Sequence, residues 1–207
     1  MEAVSATDNG LGFTPRELRG LRALRTPAGI QRALDGMPYH LAPTAWSPRR
    51  VLAERTAHCL EGAIFGAAAL RAIGHRPLLV DLESVNDTDH VIAVFKERGL
   101  WGAIAKSNYA FLEYGEPIHR TLRELALSYF PAYFNLRRQR TLRRVSRPVD
   151  LRRFDRLDWM TAKKDVWFIA EYLLEIPHTE LMPRAVANRL NSLDKRSFEA
   201  GLHGHRW

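Results

Sequence analysis

Apolar residues recur at helical spacing through the first third of the chain, and prolines mark where each run begins. Thr14, Pro15 and Glu17 form a capping box ahead of Leu18, Leu21 and Leu24, which predicts a helix opening at Pro15. Thr26 and Pro27 repeat the start for a second short helix ending near Gly36. Pro38 and Pro43 then hold an irregular connection carrying Tyr39, His40 and Trp46. Ser47 and Pro48 open a third helix, with a break expected between Arg55 and His58. From Cys59 to about Ile73 the residues are small and apolar, with Gly74 as C-cap. Gly62, Ala63, Gly66, Ala67 and Ala68 would let this helix lie close against a sheet.

The pattern then shortens. "RPLLVDLES" is an apolar run of strand length. "HVIAVFKERGLWGAIAKS" predicts a hairpin turning at Glu97 to Gly99, with both faces of its first strand covered. A helix is expected from about His119 through "RTLRELALSYF", and another with Val166, Ile169, Ala170, Leu173 and Leu174 as its apolar stripe, capped by Thr161 and stopped by Pro177. "SLDKRSFEAGL" predicts a last short helix. Residues 1–13 read as a flexible tail and 14–207 as a single domain with helical decorations at both ends. The fold class expected is α+β, a central Cys-bearing helix on a small antiparallel sheet.

Composition adds bounds. In 207 residues, 46% hydrophobic and 26% charged is ordinary for a folded domain, so no staple is needed. A single cysteine excludes an internal disulfide and with it the disulfide-scaffold class. "MEAVSATDNG" has neither a basic n-region nor an apolar h-region, and the apolar run Ala63 to Ile73 is short for a membrane span. The expectation is a cytoplasmic protein with no membrane partner. Net charge +8 raises a polyanion partner, but the excess is spread along the chain. The exception is Arg137 to Arg153, with eight arginines. It reads either as an arm for nucleic acid or an acidic partner, or as a solvated edge strand whose Pro148 argues against a central position. The second reading is favoured. His203 and His205 lack further ligands, and no phosphate loop is present, so neither metal nor cofactor is expected.

The candidate chemistry starts at Cys59. A cysteine at a helix start meets unpaired N–H groups and the positive end of the dipole, which favour thiolate. It is therefore expected to alkylate faster than a free thiol at neutral pH. His90, at the start of the hairpin, can take the proton, and the Cys59 N–H can donate to an oxyanion. A third group should orient the imidazole. If Lys96 faces Leu100, then His90 faces Lys106, with Asn108 two residues along on the same face. Asn108 is the expected orienting residue and Ser107 the fallback if the register slips by one. Asp89 points to the opposite face from His90. Glu61 falls on another face of the helix from Cys59 and reads as a structural or gating salt bridge. His58 reads as an exposed neighbour.

"HCLEGAIFGAAALRAIGHRPLLVDL", then "DHVIAVF" and "GLWGAIAKSNY", resemble the transglutaminase-like core of the papain-like cysteine enzymes, and more narrowly an uncharacterised bacterial group. Cys59, Gly74, His90 and Trp101 match the family pattern over about Ser47 to Tyr109. The resemblance implies cysteine-dependent acyl transfer, or hydrolysis of a protein or peptide amide, with Tyr39, His40, Trp46 and Trp101 as cleft candidates. The chain departs from the pattern where the family's acid would fall, near Ala105 or Lys106. The alternative is an inactive core acting as a binding module through its arginine-rich surface.

Overall fold

The computed structural model describes residues 10–207. Of the stretch expected as a tail, residues 1–9 lie outside the described residues, while Leu11 and Phe13 are buried in the core.

Four helices come first: α1 (Pro15–Arg22), α2 (Pro27–Asp35), α3 (Pro48–Glu54) and α4 (Cys59–Ala72). Each begins where the sequence signals it. Thr14 caps α1 in a full capping box, and Thr26 accepts from Gly29 N–H at the start of α2. Arg55, in the left-handed region, breaks α3 from α4. Strands β1 (Leu78–Ser84), β2 (His90–Glu97), β3 (Leu100–Ile104) and β4 (Gly115–His119) follow, then α5 (Leu122–Tyr129), β5 (Leu142–Ser146), β6 (Val149–Asp150), α6 (Trp167–Glu175), β7 (His178–Glu180), α7 (Arg184–Ala187) and α8 (Lys195–Gly201). The sheet runs β4-β3-β2-β1-β5-β7 with β6 beside β1, and every strand pair is antiparallel. The protein is therefore α+β.

Both sheet faces are covered. Leu79, Val91, Ala93, Phe95 and Ile104 join the core under α1 to α4 and α6. Leu78, Val80, Leu82, Ile92, Val94 and Ala103 join a second core with Leu125, Ala126, Tyr129 and Tyr133. Helix α4 lies across β2, and its small residues set the distance. A Cβ on Gly62 would meet Lys106 Cβ at 2.4 Å, and one on Gly66 would meet Ile104 Cγ2 at 3.1 Å.

Four expectations change. The hairpin turns on two residues, Arg98 and Gly99, both with positive φ, so Glu97 faces Leu100 and Lys96 faces Trp101. This is one residue off the expected register. The arginine-rich stretch forms a strand, but not the edge strand expected: β5 lies between β1 and β7, and Pro148 sits in the tight link to β6. An unexpected strand, Gly115–His119, takes in the residue where the helix was expected to begin, and α5 instead starts after the Thr121 cap. Helix α6 begins at Trp167, because Val166 N–H bonds to Ala45 and Asp165 accepts from Ala45 N–H, tying this segment to the loop before α3.

Candidate active site

Pairing between β2 and β3 ends at Ala93 and Ile104. Beyond it the chain is captured by α2. Gln31 exchanges both amide bonds with the Ala105 backbone, at 2.9 and 3.1 Å, and Lys106 Nζ donates to the Leu34 and Met37 carbonyls. The start of β2 is thereby left without a neighbour from β3. The N-terminus of α4 meets the sheet at this gap.

Cys59 is the first residue of α4, and His58 is its N-cap. The N–H groups of Leu60 and Val91 and the Tyr39 hydroxyl approach the sulfur and favour its thiolate. Burial outweighs them and pushes the thiol up. The helix-start argument from sequence is thus overturned by desolvation, which disfavours the charged form.

His90 opens β2 and is 5% exposed. Its ring sits edge-on to Tyr129 and Tyr133. Nε2 donates to the Leu112 carbonyl at 2.8 Å. A carbonyl only accepts, so the proton is on Nε2 and the lone pair on Nδ1. The bond to Leu112 is the one hydrogen bond of the ring among the described residues. Burial drives the imidazole down to about 4, against the opposing pull of the Leu112 carbonyl. No hydrogen bond joins the thiol to the ring among the described residues, but both line one cavity of about 280 Å³.

The orienting group is a backbone carbonyl, not Asn108. The Asn108 amide is engaged by the C-terminal segment: Nδ2 donates to His205 Nε2 and to the Arg206 carbonyl, and Oδ1 accepts from Arg206 N–H. Ser107 accepts from Tyr109 N–H and does not reach His90 either. Both still line the cavity. The shift in register would have set Ser107 opposite His90, but the ladder stops three residues earlier.

Of the cleft candidates, Tyr39 and His40 line the cavity. Trp46 is buried against His40, ring centroids 4.2 Å apart, with the Arg50 guanidinium 4.4 Å from its ring centroid. Trp101 sits at the far end of the hairpin under Lys96, lining a separate hollow with His75 and Phe95.

Glu61 is the residue that sequence reading undervalued. Wholly buried, it accepts from Thr44 Oγ1 (2.6 Å), His40 Nδ1 (3.0 Å), Trp46 N–H (3.1 Å) and His58 N–H (3.2 Å). Burial acts to raise its carboxyl, but the bonds from Thr44 and His40, the His58 charge and the Trp46 N–H hold it below the ordinary range. The signal was present: a glutamate three residues after an N-cap reaches back to the cap N–H. His58 is accordingly no exposed neighbour; its Nε2 donates to the Thr44 carbonyl at 2.7 Å. The donor atoms of His40, His58 and Glu61 lie within 4.8 Å of one another, the spacing of a metal site. His58 Nε2 is already a donor and all four bonds converge on the carboxylate, so the trio acts as a post fixing the loop that carries Tyr39 to the start of α4.

The chain matches no model of a known protein family, and no curated protein matches it. No helix among the described residues is long and apolar enough to cross a membrane.

Proposed function

We propose that this protein is a cysteine-dependent acyl-transfer or amide-hydrolysing enzyme of transglutaminase-like architecture, with Cys59 as nucleophile and His90 as base. The observation that carries the reading is the opening of the Cys59 thiol and a tautomer-fixed His90 onto one cavity. Holding Nε2–H on the Leu112 carbonyl is the orienting role that a side-chain amide or carboxylate plays in comparable sites.

The Cys59 sulfur attacks a carboxamide or peptide carbonyl while its proton passes to His90 Nδ1, directly or through one water. The carbonyl electron pair moves onto oxygen, which accepts from the Cys59 N–H at the helix start and from the Tyr39 hydroxyl. Collapse expels the amine, which takes the proton from the imidazolium, and leaves a thioester on Cys59. Water or an acceptor amine then attacks, His90 again taking the proton, and the thiol is restored. With thiol and imidazole both neutral at rest, the proton leaves sulfur only as the carbon–sulfur bond forms.

Acylation by p-nitrophenyl acetate tests this without a known substrate. Near neutral pH the wild type should release a burst of p-nitrophenolate stoichiometric with protein and carry the acetyl group on Cys59 by peptide mapping. Cys59→Ala should give no burst. His90→Ala should slow acylation roughly 100- to 10,000-fold, the usual worth of a positioned base. Labelling of surface lysines with Cys59 untouched, or an unchanged rate in His90→Ala, overturns the assignment.

A further inference from the structure

The chain carries 31 Lys and Arg against 23 Asp and Glu, yet among the described residues none of these cations lines the Cys59 cavity. It holds instead two carboxylates, Asp87 and Asp89, on the β1–β2 loop. Asp87 accepts from Thr88 N–H and Thr141 Oγ1, and Asp89 Oδ1 accepts from Ser84 N–H and Oγ. These neutral donors fix both side chains without cancelling their charge. Neither forms an ion pair among the described residues, and Asp89 Oδ2 has no partner there at all. The tail cation Arg206 lines a different hollow, with Asp35 and Lys106.

Other groups register the uncancelled charge. Asp87 is pushed up by burial and by Asp89, and Tyr133, on the same wall, by burial and then by Asp87 and Asp89. His90, 5% exposed, also lines the cavity; its Nε2 is held by the Leu112 carbonyl, and Nδ1 makes no hydrogen bond among the described residues. Tyr109, Tyr133 and Phe134 supply aromatic walls of the kind that attract cations.

We infer that Asp87 and Asp89 form a subsite for a cationic group, a guanidinium or primary ammonium, on the ligand of this cavity. Resting on the acyl-transfer reading, the same group belongs to the acyl donor and is held while Cys59 attacks its carbonyl. A fixed carboxylate with a free oxygen is the partner that a guanidinium fork requires. Rejection of neutral and anionic analogues follows, because each would leave the carboxylates unmatched.

Two measurements separate the subsite from the chemistry. Benzamidine, a guanidinium-like cation that needs no turnover, is titrated by calorimetry into wild type, Asp89→Asn and Asp87→Asn, with neutral benzyl alcohol as control. Asparagine keeps the acceptor for Ser84 or Thr88 N–H, and the melting temperature of each variant is measured on the same sample. Wild type should bind benzamidine and not benzyl alcohol, more weakly as salt rises. Asp89→Asn should lose roughly 10- to 100-fold, the worth of one charge-assisted hydrogen bond. No binding, or equal binding by both folded variants, overturns the subsite. Acylation by p-nitrophenyl 4-guanidinobenzoate is then compared with p-nitrophenyl benzoate. The guanidino ester should be favoured in wild type, and the preference should fall towards unity in Asp89→Asn. Asp89-dependent benzamidine binding without guanidinobenzoyl transfer to Cys59 would leave the subsite standing and overturn the acyl-transfer reading.

Discussion

The thiol of Cys59 sits between opposing pulls. Burial and the charge of Asp81 raise it, while the Leu60 and Val91 N–H groups and the Tyr39 hydroxyl lower it, and burial wins. Iodoacetamide should therefore alkylate Cys59 more slowly at neutral pH than a free thiol, with the rate climbing only above the ordinary thiol range. Tyr39→Phe removes one lowering contact and should slow alkylation at a fixed alkaline pH by roughly 2- to 10-fold, the worth of a single hydrogen bond. A rate equal to or above that of glutathione at neutral pH would refute the burial argument. Cys59 and His90 could be singled out in the sequence because a thiol and an imidazole each have a residue type to read. The Leu112 carbonyl was not, since a backbone acceptor has no residue type to read. Asn108 was chosen because an amide is the side-chain group that could do that work, and the tail that occupies it lies about a hundred residues away.

At the scale of elements, the close approach of α4 was readable from its small residues, and the exact contact was not. Gly62 lies where α4 passes Lys106, and a methyl group there has only the Lys106 backbone side of the side chain to push against. Gly62→Ala should destabilise the fold by about 1–3 kcal/mol, the cost of overpacking, measured by chemical denaturation. A neutral result would mean that α4 can lift from the sheet. The hairpin was predicted, but its register followed from the turn type, and Arg98 gives no warning that it will take positive φ. The departure of β3 from β2 was hidden for a different reason: Gln31 acts from another element, 74 residues away in sequence. Glu61 joins the two scales. Glu61→Ala strips an acceptor from four donors at once and should cost about 3–5 kcal/mol, as removing one partner from a buried charged network does. Glu61→Gln, which still accepts, should cost less, and equal losses would show that the network contributes little.

Across the whole molecule, the starts of the first four helices and the order of β1 to β3 were visible in the pattern, whereas β4, with Pro117 inside it and only Gly115 buried, and β7, three residues long, gave no strand signal. The arginine stretch read as an edge strand because Pro148 argued against a central position, yet Pro148 falls just after β5, which is flanked by β1 and β7. In the fold Arg144 pairs with Glu83, Arg152 with Asp150, and Arg138 and Arg140 donate to the Leu193 and Pro131 carbonyls. A global property depends on one buried pair beneath that stretch. Asp81 lies in the middle of β1, 1% exposed, and accepts from His178 Nε2 at 2.9 Å across β5. Burial, then the charge of Asp89, raises its carboxyl to about 7, against the opposing bond and charge of His178. The sign follows from proton linkage. Between the ordinary carboxyl range, about 4, and this raised value, the folded state keeps a proton that the unfolded chain has lost. Stability is therefore fully present below that window and declines as pH rises through it. Denaturation midpoints measured at several pH values should fall from about pH 4 to 7, and Asp81→Asn, which keeps an acceptor for His178 without a charge to bury, should flatten that part of the curve. An identical slope in the variant would assign the dependence to other groups and leave the Asp81–His178 pair without a role in it.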